Sequence, residues 1–312
     1  MKKNRLGQFF TKERYWEQKQ VIEFIGKYKF NTILDPFAGA GDLLNCFNNF
    51  KKLGMDIDDS LNKGWINNDS LKNIPFFEES FIITNPPYLS KTSSKRKKIN
   101  HPEFKNSNHN DLYKIALDKL IESGIPGVAI LPESFINSKY DKKNIFSITI
   151  LIPNPFKDTD VPVCIVCYDP NKIFKDTKIF KNETFLGNMK EIENKSETLL
   201  KAKNQIQIKF NDNLGKLALI AYDSTNGKKI RFMKSENLEY NKPQKVSSRV
   251  VSKITISRNI TNSFVEKLNN KLDLFRNETK DILLTPFRGN NKFQERRRRL
   301  DYKTARKIIN SI

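Results

Sequence analysis

Short apolar runs alternate with helix-like stretches through the first half of this 312-residue chain. Strands are predicted at Thr32–Asp35, Lys52–Asp56, Phe81–Thr84, Gly127–Leu131, Ile145–Ile152 and Val161–Tyr168, the last two as an antiparallel pair. Helices are predicted at Glu13–Tyr28, Asp42–Phe50 and Asp111–Ser123. Such an alternation is typical of a parallel sheet wrapped by helices, so the sequence predicts an α/β fold.

The pattern changes after Tyr168. The segment Lys172–Lys203 is polar, charged and weakly periodic, and a domain boundary predicted inside it gives domains at residues 1–185 and 186–312. Beyond it, the predicted elements are a strand at Gln205–Phe210, a hairpin of Leu217–Tyr222 and Lys229–Met233 around an Asn-Gly turn, and helices at Ile260–Asp281 and Gln294–Ile309. The second domain is therefore predicted to be small, basic and α+β.

The positive charge of the chain is large and unevenly spread. Basic side chains number 56 and acidic ones 35, a net charge of +21, and residues 191–312 hold 27 of the basic but only 13 of the acidic ones. This asymmetry favours a phosphate-binding surface over a merely solvated lysine-rich face. The candidate DNA-binding residues form two runs: Lys91, Lys95, Arg96, Lys97, Lys98, and Arg296, Arg297, Arg298, Arg299. The first run lies in Ser90–Asn110, which is predicted to be a long loop that is mobile until it meets a phosphate backbone.

Composition and cysteine content limit the class of protein. No apolar run approaches the ~18 residues of a membrane span, so no membrane contact is expected. Three cysteines, an odd number, favour the reducing cytoplasm over a disulfide framework. No metal is expected, because Cys164 and Cys167 lie three apart in a predicted strand, and His101 and His109 lie in a polar loop where they are expected to be solvated.

A glycine turn follows the strand Thr32–Asp35. In Asp35-Pro-Phe-Ala-Gly-Ala-Gly41 the two glycines allow the backbone to approach a ligand at the carboxyl edge of the sheet, where open α/β folds bind cofactors. No Gly-Lys-Ser/Thr follows, which disfavours ATP. Asp56, at the end of the next strand, is placed to accept hydrogen bonds from ribose hydroxyls. Together these elements predict a nucleoside-like cofactor.

The tetrapeptide Asn85-Pro-Pro-Tyr88 follows the strand Phe81–Thr84. Its two prolines fix φ and remove backbone donors, which leaves the local carbonyl groups as acceptors. Asn85 adds a side-chain acceptor and Tyr88 a flat stacking face. Such a site suits a planar exocyclic amine, which donates two hydrogen bonds while its ring lies on an aromatic face.

With these motifs in this order, the chain resembles the N6-adenine DNA methyltransferases of bacterial restriction–modification systems. The resemblance covers about residues 4–168 and implies a Rossmann-like domain that uses S-adenosyl-L-methionine as cofactor. Only 15 residues separate Asp69 from Asn85, so no recognition domain is inserted there. The chain is therefore similar to the subgroup whose target-recognition domain is C-terminal, which would be the basic residues 186–312.

The resemblance also implies a role for each matching residue. The implied cofactor-binding residues are Gln8, Phe10 and Thr11 of the N-terminal element, Asp35, Pro36, Phe37, Gly39 and Gly41 of the glycine motif, Asp56 and Ile57 at the ribose, Asp69 and Ser70 at the adenine, and Asn85. The implied catalytic residues are Asn85, Pro86, Pro87 and Tyr88. Tyr88 and Phe156 are implied to stack on the two sides of an extruded base.

The implied activity is methyl transfer from S-adenosyl-L-methionine to N6 of an adenine flipped out of double-stranded DNA. Asn85 and the Pro86 carbonyl group are implied to accept the hydrogens of the target amine. The implied partners are double-stranded DNA and, functionally, a restriction endonuclease.

Three other functions stay open on the sequence. An RNA (rRNA) adenine N6 methyltransferase is one, because Gly7-Gln-Phe-Phe is similar to the opening of rRNA dimethyladenosine enzymes, although those usually carry a different catalytic tetrapeptide. A protein glutamine methyltransferase shares Asn-Pro-Pro-Tyr but places its extra domain at the N-terminus. A catalytically silent DNA-binding subunit is the third, and the intact Asn85–Tyr88 and Gly39/Gly41 argue against it.

Overall fold

The computed structural model describes residues 17–61, 63–156, 161–238 and 250–312. The chain divides into two units, Met1–Asn188 and Met189–Ile312. Among the helices of these described ranges, none has both the length and the apolar character that crossing a bilayer requires.

A nine-stranded sheet forms the centre of the first unit. Its strands are β1 (Thr32–Asp35), β2 (Lys51–Asp56), β3 (Ile66–Asn67), β4 (Ser80–Thr84), β5 (Gly127–Pro132), β6 (Ile145–Ile150), β7 (Val163–Tyr168), β8 (Lys178–Lys181) and β9 (Thr184–Asn188). They lie in the order β3-β2-β1-β4-β5-β7-β6-β8-β9. The first five of these are mutually parallel, and β7 is antiparallel to both β5 and β6. This Rossmann-like order confirms the predicted α/β fold and the predicted antiparallel pair.

The central strands are covered on both faces. β1, β4, β5 and β7 are buried along their whole length, which explains why they stand out in the sequence as continuous apolar runs. The strand order reverses at β1, which has β2 on one side and β4 on the other. A crevice therefore opens at the carboxyl ends of β1 and β4, where Asp35 ends one strand and Asn85 follows the other.

Within the described part of the first unit, the α-helices are α1 (Lys19–Ile25), α2 (Lys91–Lys97) and α3 (Leu112–Glu122). The predicted helix at Asp111–Ser123 is confirmed by α3. The prediction of a helix at Asp42–Phe50 is wrong, because this segment holds only a 3-10 turn at Leu44–Cys46. Three asparagines in the segment favour turns over helix, and the adjacent Leu43 and Leu44 are both buried.

The prediction of a long loop at Ser90–Asn110 is also wrong. The Ser90 hydroxyl accepts a hydrogen bond from the Ser93 amide and so caps α2 at its N-terminus. Further on, a 3-10 turn at Pro102–Lys105 buries Phe104 in a small apolar cluster. The other buried members of that cluster are Leu89, Leu112 and Ile115. The segment is therefore folded onto the start of α3.

The second unit is α+β, as predicted. Outside residues 239–249, its strands are β10 (Ile208–Phe210), β11 (Leu217–Ile220), β12 (Arg231–Lys234), β13 (Val251–Ile256), β14 (Thr285–Asn290) and β15 (Arg296–Arg299), and its α-helices are α4 (Met189–Leu199), α5 (Asn262–Glu278) and α6 (Tyr302–Asn310). The antiparallel pairing of β11 with β12 confirms the predicted hairpin. An antiparallel sheet in the order β10-β13-β11-β12 shares one apolar core with α5 and α6.

The helix predicted at Gln294–Ile309 begins later than expected. Arg296–Arg299 forms β15, which pairs with β14, and the helix starts only at Tyr302. The Asp301 side chain accepts a hydrogen bond from the Thr304 amide and caps that helix. Arg296 and Arg298 are buried while Arg297 and Arg299 are half-buried, an alternation that belongs to a strand.

Candidate active site

A cavity of about 220 Å³ lies at the carboxyl ends of β1, β2 and β4. We call it the first cavity. Ten of the predicted site residues line it: Asp35, Pro36, Phe37, Gly39, Asp56, Ile57, Asp69, Ser70, Asn85 and Pro87. The sheet topology thus brings together residues that are up to 52 positions apart in the chain, from 35 to 87. Gln8, Phe10 and Thr11 lie outside the described residues.

Asp35 is a buried carboxyl at the edge of the first cavity. Its Oδ1 accepts hydrogen bonds from the Thr84 hydroxyl at 2.6 Å and from the Phe37 amide at 3.0 Å. Burial raises the pKa of Asp35 to about 7, an effect that these two hydrogen bonds oppose and that nearby Asp56 reinforces. At neutral pH the group is therefore divided between its neutral and charged forms, and a cation beside it would favour the charged form.

Asp56 joins the glycine turn to the end of β2. One carboxylate oxygen accepts a hydrogen bond from the Gly39 amide at 2.8 Å, and the other accepts one from the Asp58 amide at 2.9 Å. Each oxygen keeps further acceptor capacity, since an ionised carboxylate offers about four lone-pair positions. Asp56 therefore both fixes the turn and can still accept hydrogen bonds from a ligand.

The glycine turn is shaped by a tryptophan that the sequence analysis missed. The Trp65 indole nitrogen donates a hydrogen bond to the Gly39 carbonyl at 3.0 Å. A β-carbon at Gly41 would lie 2.7 Å from this indole, and one at Gly54 only 2.5 Å from it. Gly39 lines the first cavity, but Gly41 is absent from its lining and instead makes room for Trp65. Gly41 has a φ of +85°, which favours glycine for a second reason.

Asp69 lies at another part of the wall of the first cavity. One of its carboxylate oxygens pairs with Lys72 at 2.8 Å, and the other accepts a hydrogen bond from the Leu71 amide at 3.3 Å. The Lys72 side chain is largely exposed, so this ion pair is screened by water.

His101 and Glu103 are further lining residues that the sequence analysis missed. The prediction that His101 is merely solvated is wrong: His101 lines the first cavity together with Glu103, and His101 Nδ1 lies 3.3 Å from Glu103 Oε2. Buried Phe104 holds this segment in place, and no local pattern in the sequence indicated that. The His101 imidazole and the Glu103 carboxyl therefore add two polar groups to the wall of the first cavity.

The tetrapeptide Asn85–Tyr88 stands between two cavities of the first unit. Asn85 and Pro87 line the first cavity, whereas Tyr88 lines a second cavity of about 270 Å³. The Tyr88 hydroxyl lies 2.5 Å from Asn85 Oδ1 and 2.9 Å from the Ile130 carbonyl, and burial raises the pKa of Tyr88 well above its usual range. Tyr88 is therefore a neutral hydrogen-bond donor that can orient the Asn85 amide. Pro86 is buried beneath them.

The second cavity has a mixed wall that includes two cations and one carboxylate. Arg96 and Lys97 of α2 line it together with Asp111, Tyr113 and Ser134. Of the other residues of this run that are predicted to bind DNA, Lys95 and Lys98 are exposed and Lys91 is half-buried. Cationic side chains thus stand beside the cavity that Tyr88 lines.

Phe156 and the four consecutive arginines occupy places unlike those expected. Phe156 is only 4% exposed and packs in the apolar core of the first unit, which Tyr88 also borders. In β15, the Arg296 guanidinium donates to Asn290 and the Arg297 guanidinium donates to the carbonyl groups of Asp223 and Arg288. These arginines bind their own unit, and their predicted role in DNA binding stays a prediction.

No sequence profile of a protein family matches the chain, and no curated protein matches it. Similar solved structures include the methyltransferase subunit of a type I restriction–modification system from Streptococcus thermophilus, with 18% identity over 52% of this chain and 45% of that one and a TM-score of 0.35. The M protein of the type I restriction enzyme EcoKI has 13% identity over 55% and 48%, with a TM-score of 0.36. An rRNA methylase from Streptococcus thermophilus has 11% identity over 49% and 94%, with a TM-score of 0.30. The chain thus spans less than half of either restriction–modification protein, and its function is inferred from its own site.

Proposed function

We propose that this chain transfers a methyl group from S-adenosyl-L-methionine to the N6 amine of an adenine in double-stranded DNA. The observation that carries the proposal is the position of Asn85–Tyr88 between the two cavities of the first unit. The first cavity is lined by the strand-end carboxylates of Asp35 and Asp56. The second cavity is lined by Tyr88 and by the cations Arg96 and Lys97. One tetrapeptide thus borders a site for a cofactor and a site for a nucleotide.

The residues of the first cavity fit the cofactor. Asp35 is a buried carboxyl with a pKa of about 7, and a methionine ammonium group beside it would stabilise its charged form. Asp56 keeps lone pairs for ribose hydroxyls, and Asp69 can accept a hydrogen bond from the adenine amine. When bound, the cofactor supplies a methyl group that its sulfonium already activates.

The tetrapeptide orients the target amine. Asn85 Oδ1, held by the Tyr88 hydroxyl, has a second lone pair with which it can accept a hydrogen of the amine. The carbonyl group of Pro86 accepts the other. These two acceptors direct the nitrogen lone pair toward the first cavity and favour the positive charge that develops on the nitrogen.

The second cavity is the proposed site of the target base. A base inside duplex DNA is paired and stacked, so it must leave the helix, which costs a few kcal/mol. Tyr88 offers aromatic surface to such a base, while Arg96 and Lys97 can contact the phosphates beside it. Phe156, which is buried in the core, contributes to this site only if it becomes accessible.

The charge of the chain supports DNA as the substrate. Residues 191–312 carry 27 basic and 13 acidic side chains, an excess that suits a phosphate backbone. We therefore propose that the second unit recognises the target, in the cytoplasm, and that the methylation protects host DNA from a restriction endonuclease with which the protein is functionally paired.

Methyl transfer can be tested directly. Purified protein is incubated with isotopically methyl-labelled S-adenosyl-L-methionine and unmethylated genomic DNA, and the DNA is digested to nucleosides for mass spectrometry. We expect the label in N6-methyl-deoxyadenosine. The same reaction with total RNA tests the alternative of an RNA adenine methyltransferase. If that alternative is correct, the label appears only in RNA.

The variant Asn85→Ala is the matched control for this experiment. We expect it to lose methylation and to keep DNA binding, because it removes an acceptor of the target amine from the wall of the first cavity. Full activity in Asn85→Ala would overturn the catalytic assignment. Absence of cofactor binding by the unaltered protein would overturn the enzyme assignment and favour a silent DNA-binding subunit.

A further inference from the structure

Two turns of the second unit are joined at their tips. One is the turn of residues 223–227, between β11 and β12, and the other is the turn of residues 291–295, between β14 and β15. The Lys292 amide donates a hydrogen bond of 2.8 Å to the Thr225 carbonyl. A β-carbon at Gly227 would lie 3.8 Å from the Phe293 ring, so this ring lies beside the first turn.

The side chain of Asn291 organises the second of these turns. Its Oδ1 accepts hydrogen bonds from the amides of Phe293 and Glu295, both at 2.9 Å, and its Nδ2 donates one of 2.8 Å to the Glu295 carboxylate. Asn291 is only 5% exposed. The tip of the β14–β15 hairpin is therefore fixed from inside.

The base of the hairpin is anchored to the rest of the second unit. The Arg297 guanidinium donates a hydrogen bond of 3.0 Å to the Asp223 carbonyl, and the Arg298 amide donates one of 3.2 Å to the Asp223 carboxylate. Asp223 itself binds the buried guanidinium of Arg276 at 2.8 and 3.0 Å. Arg297 and Arg298 of β15 thus fasten the hairpin to the turn that begins at Asp223.

The joined turns present an exposed aromatic ring beside a lysine, with the exposed acidic residue Glu295 in the same turn. Phe293 is 64% exposed, although the backbone that carries it is fixed, and the Lys292 ammonium lies 5.1 Å from the centre of its ring. Arg288 on the same hairpin is exposed, as are Lys228 and Lys229 directly after the first turn. We call these five residues the tip surface. An exposed ring on a rigid support costs little conformational entropy when it is buried by a partner.

We propose that the tip surface enters the major groove of double-stranded DNA, with Phe293 against base edges and its four cations at the flanking phosphates. A two-stranded β-ribbon fits that groove, and a phenylalanine can contact the methyl group of thymine there. The cations match the phosphate charge. This inference rests on the DNA substrate proposed above, and it places DNA contact at the tip of the hairpin instead of at the arginines of β15.

The test measures binding of the full chain to a fluorescently labelled duplex of mixed sequence, by anisotropy over a series of salt concentrations. For Phe293→Ala we expect the Kd to rise about tenfold with the salt slope unchanged, because an apolar contact is lost. For Lys292→Gln we expect the slope of log Kd against log salt to fall by about 1, because one phosphate contact is lost.

Each variant has a matched control. Phe76 in the first unit is also 64% exposed, so Phe76→Ala removes the same ring at the same exposure and should leave the Kd unchanged. Lys201 is an exposed lysine of the second unit, so Lys201→Gln removes the same charge elsewhere. Thermal melting verifies that all four variants are folded.

The outcomes separate the inference from the function on which it rests. If the unaltered protein binds the duplex and Phe293→Ala binds like Phe76→Ala, the groove contact is overturned while the DNA substrate stands. An equal loss on single-stranded DNA of the same sequence would also overturn the groove contact. If the unaltered protein binds no duplex, the proposed DNA substrate itself is overturned.

Discussion

Thr84 donates a hydrogen bond of 2.6 Å to Asp35 across the crevice between β4 and β1. Both side chains are buried, at 0% and 2% exposed, and Thr84 directly precedes Asn85. The bond lowers the pKa of Asp35 against the larger opposing effect of burial, and the balance leaves that pKa at about 7. The last residue of β4 thus tunes the charge of the carboxyl proposed to hold the cofactor ammonium, and the residue after it is the proposed catalytic amide.

The variant Thr84→Val removes this donor at little change in shape. We expect the pKa of Asp35 to rise, and the affinity for S-adenosyl-L-methionine at pH 7 to fall by roughly threefold, because a hydrogen bond worth about 1 kcal/mol is lost from the charged form. Calorimetric titration between pH 6 and 9, a range that brackets the pKa of about 7, should show that the affinity of Thr84→Val for the cofactor recovers at higher pH. Thr84→Ser keeps the hydroxyl and should follow the unaltered protein. Identical titrations for Thr84→Val and Thr84→Ser would contradict the coupling between the Thr84 hydroxyl and the charge of Asp35.

Asp35→Asn should stabilise the protein without ligand. The pKa of Asp35 is raised in the folded state, so its ionisation costs stability as pH rises from the unfolded value of 3.8 through about 7. A neutral amide avoids that cost, and we expect the free energy of unfolding at pH 8 to increase by up to about 4 kcal/mol. Urea denaturation at pH 4 and at pH 8 checks this, since the gain should vanish at pH 4. The same variant should lose cofactor affinity, and a loss of stability at both pH values would refute the linkage.

The central sheet could be predicted from the sequence because its signals are local. β1, β4, β5 and β7 are buried on both faces and so form continuous apolar runs. β8 and β9, the last two strands in the sheet order, lie in a polar segment and escaped prediction, since strands that are partly exposed show little apolar periodicity. Arg296–Arg299 was misassigned to a helix because four identical residues carry no periodicity at all.

The carboxylates Asp35 and Asp56 of the candidate site could be predicted because each ends an apolar strand. Asp69 and Ser70 were predicted only through the family resemblance. The contribution of Trp65 was missed because its contacts with Gly39, Gly41 and Gly54 depend on the tertiary fold, and because Gly39 and Gly41 were interpreted as space for a ligand. Contacts of this kind depend on the tertiary fold and leave no local trace in the sequence.

Tyr88→Phe separates the two roles proposed for Tyr88. The variant keeps the ring but loses the hydroxyl that lies 2.5 Å from Asn85 Oδ1. We expect kcat to fall by roughly tenfold, as for the loss of one hydrogen bond of about 1 kcal/mol or somewhat more, with DNA binding retained. Tyr88→Ala should in addition weaken binding of DNA that contains an unpaired target adenine. Single-turnover methylation measures the effect on kcat, and duplex anisotropy measures the effect on DNA binding. An equal kcat for Tyr88→Phe and the unaltered protein would exclude the orienting role.

Gly54→Ala should destabilise the first unit through Trp65. The new β-carbon would lie 2.5 Å from the indole, a contact that forces the ring to move and costs about 1–3 kcal/mol. Since the indole also holds the Gly39 carbonyl, we expect weaker cofactor binding as well. In the double variant Gly54→Ala/Trp65→Ala the clash is absent. Its loss of unfolding free energy should therefore be smaller than the sum of the losses in the two single variants. Strict additivity in this double-mutant cycle would mean that the two residues do not conflict.

Arg276→Met should lower the unfolding free energy of the second unit far more than the loss of a surface cation would. The Arg276 guanidinium is 4% exposed and pairs with Asp223 and Asp281, both at 2.8 Å. Its removal leaves the buried Asp223 carboxylate without its guanidinium, which costs about 3–5 kcal/mol. Because the pair holds the pKa of Asp223 below its usual value, its stabilisation is present at neutral pH and is lost as pH falls through that lowered pKa. Chemical denaturation at pH 7 should show the full loss, and Arg276→Met/Asp223→Asn should recover part of it; an unaltered midpoint for Arg276→Met would disprove the anchoring role of Asp223.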